Sequence, residues 1–302
     1  MTPEPAAVAS APDTASLQAA REAAVTDAVL ASFEGATDPR YREVMQALVR
    51  HLHGFVREVR LTQAEWEAGI GFLTRAGHIT DDRRQEFILT SDILGVSMLT
   101  IAVNAPTGPG ATESTVFGPF FVADAPTVPN GGDLSFGAKG VPCRVTGQVR
   151  GTDGTPLAGA WLEVWQSDED GFYDVQYDGD VTAARGRLQA DDDGRFAFWS
   201  VRPAAYPIPT DGPAGEILTA AGRGPMRPAH IHFMVSAAGH RTLVTHIFAA
   251  GDEYLTNDAV FGVKESLVAD FRDHPAGTAP DGRVLDGPWA SVEFDLVLAP
   301  EG

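Results

Sequence analysis

The pattern H-x-H occurs twice among the eight histidines of the chain, at His51/His53 and at His230/His232. Histidine is the commonest protein ligand for metal ions, and two imidazoles this close share an ion only where the backbone turns both to one side. His51 and His53 fall in Pro39–Val59, where Val44, Met45, Leu48, Val49, Leu52, Phe55, Val56 and Val59 recur at three- and four-residue spacing, the mark of a helix. Helical residues two apart point about 200° away from each other, so these two histidines are expected to be solvated or packed. His230 and His232 open HIHFMV, which alternates. In a strand, residues two apart share a face. Ile231, Phe233 and Val235 then turn into a core, while the two imidazoles lie on the other side, with Arg227 a fixed cation just before them.

The pattern offers no H-x-Asp/Glu, so the ferrous site built from two histidines and one carboxylate is not expected. Two kinds of further donor remain open. One is His246, which would complete an all-histidine site in the manner of a cupin. The other is tyrosine, of which the chain has five. Tyr206 sits in RPAAYPIP, where prolines stiffen the backbone. Tyr173 sits in DEDGFYD, after a glycine that permits a tight turn. A hard trivalent cation favours anionic oxygen, and a metal lowers the tyrosine pKa from near 10.

The elements that must carry these residues come in two kinds. Residues 1–16 are rich in Pro, Ala and Ser and are expected to be disordered; residues 17–105 read as a helical domain and 106–302 as the catalytic domain. Thr62 and Glu65 form a Thr-x-x-Glu capping box, and a further helix is expected from Thr80 through Phe87, Ile88, Ile93, Leu94 and Met98. After residue 114 the period changes. Val145–Val149, Trp161–Trp165, Arg195–Trp199, His230–Val235, Thr242–Phe248 and Ser291–Leu298 read as short strands separated by turns. The fold class is therefore mainly β, a β-sandwich with an α-helical N-terminal domain.

Net charge is −19 and the pI about 4.6, which disfavours a nucleic-acid partner. The single cysteine, Cys143, excludes an intrachain disulfide framework and a Cys-rich zinc site. The first residues lack a basic patch followed by an apolar run, and no apolar stretch is long enough to span a bilayer, so a cytoplasmic location is expected.

VTGQVRGTDGTPLAGAWLEVWQSDEDGFY, from Val145 to Tyr173, resembles the signature of the intradiol ring-cleaving dioxygenases. RGR at Arg185–Arg187, Asp191–Phe198 as D-x-x-G-x-F-x-F, RPAAYPIP and GRGPMRPAHIHF continue in that family's order. The resemblance covers most of the chain. It implies one Fe(III) per subunit, held by Tyr173, Tyr206, His230 and His232, with Tyr206 also serving as the phenolate that leaves and takes a proton from substrate. It implies that Arg227 stabilises negative charge developing on the substrate.

The finer resemblance, carried by LVRHLHGFVREVRLTQAEW, DDRRQEFILTSDILGVSML, ATESTVFGPFF and TLVTHIF, is to members acting on a ring with a third hydroxyl. It implies hydroxyquinol (benzene-1,2,4-triol) and O2 as substrates and 3-hydroxy-cis,cis-muconate, the tautomer of maleylacetate, as product. Catechol or a chlorocatechol is the alternative, and a non-catalytic β-sandwich binding protein is the alternative of another class. Members acting on plain catechol usually carry Gln where this chain has His246. The resemblance suggests a substrate pocket of Leu89, Asp92, Val116, Phe117, Gly118, Pro119, Phe120, Ile208, Pro209 and His246. Asp92 is the informative residue, because a carboxylate in an apolar pocket is costly unless it meets a donor. The resemblance also implies a homodimer through the N-terminal helices, with a phospholipid at its interface. The stripe Leu48, Leu52, Phe55 fits that interface or an intrachain core.

Overall fold

The computed structural model describes residues 13–81, 84–105, 110–179 and 181–301. Of the segment 1–16 expected to be disordered, residues 1–12 lie outside these, and Asp13 already caps a helix, accepting the backbone N–H of Ser16 at 2.7 Å. The chain divides into two units, Met1–Leu73 and Thr74–Gly302.

The first unit holds α1 (Thr14–Ser32), α2 (Pro39–Glu58) and the start of α3 (Gln63–Ile79). Pro39 opens α2 behind Asp38, whose carboxylate accepts the Arg40 N–H at 2.8 Å. Thr26 of α1 meets His53 at 3.0 Å and accepts from Arg57 at 2.8 Å, so His53 is a packed helix histidine, while His51 is exposed. Leu48, Leu52 and Phe55 are 47%, 52% and 52% exposed, so the apolar stripe of α2 is not an intrachain core. The capping box forms: the Thr62 N–H donates to Glu65 at 2.8 Å and the Glu65 N–H to Thr62 Oγ1 at 3.3 Å.

The second unit begins inside α3 and takes in α4 (Glu86–Ile93) and α5 (Val96–Asn104), which the change of period assigns to the helical half. The single helix expected from Thr80 is in fact these two, bent by 77° with left-handed Gly95 between them. Thr80 instead terminates α3, its hydroxyl donating to the Ala76 carbonyl, and Asp82 lies outside the described residues. Fully buried Glu86 accepts the backbone N–H of Ala214 at 2.9 Å, tying α4 to the first turn of α6 (Pro213–Ala220). No single helix among the described residues is long and apolar enough to cross a membrane.

The strands, in chain order, are β1 (Pro142–Gly151), β2 (Trp161–Gln166), β3 (Arg185–Gln189), β4 (Arg195–Val201), β5 (Tyr206–Pro207), β6 (Met226–Arg227), β7 (His230–Ser236), β8 (Leu243–Ala249), β9 (Val268–Ala269), β10 (Arg272–His274), β11 (Gly277–Thr278), β12 (Val284–Leu285), β13 (Trp289–Glu293) and β14 (Leu296–Leu298). One sheet runs β10-β13-β1-β14, with β4 also on β1; the other runs β3-β2-β7-β8-β9. The pairs β5–β6 and β11–β12 stand apart. Val145, Val149, Phe196 and Phe198 of the first sheet and Leu162, Val164, Ile231, Phe233 and Val235 of the second form one buried cluster, the core of a sandwich. Burying each such side chain contributes about 1.5–3 kcal/mol. The strand expected over Ser291–Leu298 is broken in two. β13 pairs the first half of β1 and β14 the second, and the carbonyl of Phe294 fills the space beside Gly147, where a Cβ would sit 1.9 Å from it.

Candidate active site

The period of two in β7 does what the sequence implies: Ile231, Phe233 and Val235 enter the core, and His230 and His232 share the opposite face, each 1% exposed. Strand register then chooses their neighbours. Trp165 on β2 lies opposite His232 and stacks on it with ring centroids 4.7 Å apart; His246 on β8 lies opposite it on the other side. The short β5–β6 ladder pairs Tyr206 with Arg227.

Tyr173 comes from a loop. Gly171, at φ 82°, makes the turn before it, and a Cβ there would press to 2.9 Å from that of Tyr206. The Tyr173 N–H donates to the Gln176 side chain at 2.9 Å, closing the 3-10 turn Asp174–Gln176. The next residue, buried Asp174, is paired with buried Arg185 at 2.5 and 2.8 Å. Arg185 also donates to the Phe120 carbonyl at 2.6 Å, and the Phe120 ring stacks on Tyr173 at 4.4 Å. One guanidinium thus holds both the loop that carries Tyr173 and the ring that covers it.

These elements bring four donor atoms together. Tyr173 Oη lies 2.9 Å from His232 Nε2, 3.3 Å from His230 Nε2 and 3.3 Å from Tyr206 Oη; the two Nε2 atoms are 3.2 Å apart. Donors set at right angles around an ion at about 2.0–2.1 Å are separated by about 3 Å, so the set has the spacing of a metal site. The Nδ1 of His230 lies 2.7 Å from the Pro228 carbonyl, which only accepts. That nitrogen therefore carries the proton, and the Nε2 lone pair faces the cluster. Burial drives the His230, His232 and His246 pKa values well below the usual imidazole range, so the three rings are neutral. Burial, reinforced by the Tyr206 oxygen, drives the Tyr173 hydroxyl well up. Ionising it needs a cation, and two buried phenols with two neutral imidazoles are a donor set suited to a hard trivalent one.

Arg227 is 3% exposed. Burial opposes its charge, but Asp258 at 3.2 Å and the phenolic oxygens outweigh it and hold its pKa above the ordinary value. Its Nη1 lies 3.5 Å from Tyr206 Oη and 3.3 Å from His230 Nε2, and its Nη2 has no hydrogen-bond partner among the described residues.

A cavity of about 390 Å³ opens beside this cluster and includes Tyr206 and Arg227 in its wall. Of the residues expected in the pocket, Leu89, Asp92, Val116, Gly118, Pro119, Phe120, Ile208 and Pro209 line it. Phe117 and His246 do not. Phe117 packs against Phe121 and Trp165 at 4.6 and 5.6 Å, and His246 is fully buried behind His232. Asp92 is 7% exposed in this wall, and burial pushes its carboxyl up. Asp258 and Thr115 escape a reading by residue spacing, because their partners Arg227 and His246 lie 31 and 131 positions away; Asp174, 11 positions from Arg185, escapes it because a loop and not a regular element joins them.

Comparison with known proteins shows the family of the chain. A family model described as "Dioxygenase" matches residues 116–300, and one described as "Catechol dioxygenase N terminus" matches residues 38–112. The chain belongs to the intradiol ring-cleaving dioxygenase family, and it is an enzyme. It is 61% identical over 284 residues to a hydroxyquinol 1,2-dioxygenase of Nocardioides simplex, covering 94% of this chain and 97% of that protein. It is 59% identical over 287 residues to a hydroxyquinol 1,2-dioxygenase of Rhodococcus opacus, covering 94% and 96%. The solved hydroxyquinol 1,2-dioxygenase of Pseudomonas putida superposes with a TM-score of 0.87 at 48% identity, over 94% of this chain and all of that one (100%).

Proposed function

We propose that this enzyme opens hydroxyquinol between its two adjacent hydroxyl-bearing carbons, adding both atoms of O2 to give 3-hydroxy-cis,cis-muconate, with ferric iron held by Tyr173, Tyr206, His230 and His232. One observation carries this reading: two phenolic oxygens and two imidazole nitrogens, mutually 2.9–3.3 Å apart where they touch, stand beside a mainly apolar cavity whose wall holds Asp92 and Glu86, the latter paired with Arg84. Ferric iron, when bound, would act as a Lewis acid that orients the diol and favours its deprotonated form, whose ring is electron-rich enough to react with O2.

The protein supplies the rest. Leu89, Val116, Pro119, Ile208 and Pro209 give the ring an apolar slot. Asp92 accepts the third hydroxyl, which answers the cost of its burial. Arg227 directs its guanidinium at the space beside Tyr206 Oη and stabilises charge that develops on the substrate. Tyr206 Oη takes a proton from the diol as substrate binds.

We also propose a homodimer through the N-terminal helices, working in the cytoplasm. The exposed stripe of Leu48, Leu52 and Phe55 supports it, since so large an apolar surface is characteristic of an interface. A cavity of about 440 Å³ in the first unit has apolar walls at Val25, Val56 and Leu61, with His53, Arg57 and the ion pair of Arg60 with Glu22 beside them. That chemistry suits an acyl chain with a phosphate head, so a phospholipid is proposed there. Sedimentation and mass analysis of extracted lipid test these two statements.

The test of the activity is the visible spectrum of iron-loaded protein before and after anaerobic addition of hydroxyquinol, followed by product analysis under O2. A phenolate-to-ferric band that shifts with substrate, and a kcat/KM favouring hydroxyquinol over catechol, are expected. A colourless protein that contains iron overturns the tyrosine ligation; a preference for catechol overturns the substrate.

A further inference from the structure

Both nitrogens of His232 are engaged, in different directions. Nε2 lies 2.9 Å from Tyr173 Oη and 3.2 Å from His230 Nε2, while Nδ1 lies 2.7 Å from Nε2 of His246. One imidazole cannot aim both nitrogens at one ion. His232 therefore joins either the tyrosine-containing set or His246, although His230, His232 and His246 together have the proximity of a three-histidine site. On the tyrosine-containing side it meets two donor atoms, on the other His246 alone.

What His246 does instead follows from its own second nitrogen. Its Nδ1 lies 3.0 Å from Thr115 Oγ1, and Thr115 is anchored by its backbone N–H to the Val244 carbonyl at 2.9 Å. His246 is 0% and Thr115 2% exposed, so these bonds do not compete with solvent. The His232 ring is confined by Trp165 stacked at 4.7 Å and by Gly118, where a Cβ would come to 3.0 Å from Cε1. Neither contact fixes which of its nitrogens bears the proton.

We propose that His246 is a positioning residue that sets the tautomer of His232. Its Nε2 accepts the Nδ1–H of His232 and its own Nδ1–H donates to Thr115, which leaves the His232 Nε2 lone pair directed at the phenols. The opposite order would put a proton where a ligand needs a lone pair. This inference rests on the tyrosine-ligated metal centre proposed above.

The test compares iron-loaded wild type with His246→Leu, His246→Gln and Thr115→Val by visible spectrum and by iron loss to a chelator. His246→Leu is expected to weaken iron binding about 10- to 100-fold and to shift the phenolate-to-ferric band. Thr115→Val moves both readouts in the same direction by less. Gln presents an oxygen acceptor and a nitrogen donor in the same order, so His246→Gln restores both. Unchanged band and iron retention in the Leu and Val variants, with KM for the diol raised, would overturn the proposal and make His246 a substrate contact. If the Leu variant does not fold, Thr115→Val decides alone. A colourless iron-containing wild type overturns the metal centre itself, a result distinct from failure of the variants.

Discussion

Asp258 Oδ1 accepts from Nε of Arg227 at 3.2 Å, and both side chains are almost wholly buried. The carboxylate is itself fastened by the backbone N–H groups of Val260 at 3.3 Å and Gly262 at 2.8 Å. This double hold turns the far side of the guanidinium toward Tyr206 and His230. Asp258→Asn keeps the shape but removes the charge. We expect kcat to fall about 10²-fold with KM little changed, and stability to fall by about 3–5 kcal/mol because a buried charge is left unpaired. Steady-state kinetics with denaturant unfolding checks this; a fully active variant would show that Arg227 needs no such partner.

Tyr173 and Tyr206 stand 3.3 Å apart at their hydroxyls, so each single Tyr→Phe substitution should remove part of the visible band of iron-loaded protein and the double substitution all of it. Absorption normalised to iron content measures this. An intact band in the double variant would assign the colour to another group.

Asp92 is the one carboxylate among the pocket residues expected from the sequence, and Asp92→Ala is expected to lower the preference for hydroxyquinol over catechol by about 10-fold or more, from loss of a hydrogen bond to a charged group. An unchanged ratio of kcat/KM values would reject the contact.

The same carboxyl makes a prediction about pH. Burial raises its folded-state pKa above the unfolded value. Its contribution to stability is therefore fully present below the unfolded pKa and is lost as pH rises through the folded one. Asp92→Asn should raise Tm at neutral pH, with the gain shrinking toward about pH 4, where the unfolded carboxyl titrates. Paired melting curves across that range decide it; a gain independent of pH would point to packing.

Cys143 is 0% exposed in the sandwich core, and burial pushes its thiol up to about 12. It should resist alkylation in the native protein at about pH 8 and react once the protein is denatured, because the thiolate is the nucleophile. Rapid labelling of native protein would show that the core opens.

Much of the site is legible in the amino-acid sequence by itself. H-x-H on a strand puts His230 and His232 on one face because the backbone period is two, and the oily residues between them commit the other face to the core. The Thr62–Glu65 box marks a helix start by local hydrogen bonding alone. Tyr173 and Tyr206 are legible only through family resemblance, since spacing says nothing of a loop tyrosine and one on a two-residue strand meeting at 3.3 Å. The tertiary structure alone decides which neighbours each donor receives. Strand register sets His246 and Trp165 on either side of His232, and loop closure brings Asp258 to Arg227 and Arg185 to Asp174. It also divides α4 from α5 and β13 from β14, where Gly95 and Gly147 admit backbone paths that periodicity does not register. Periodicity and capping act within a few residues of chain, whereas these contacts join residues many positions apart and exist only once the sheets have paired.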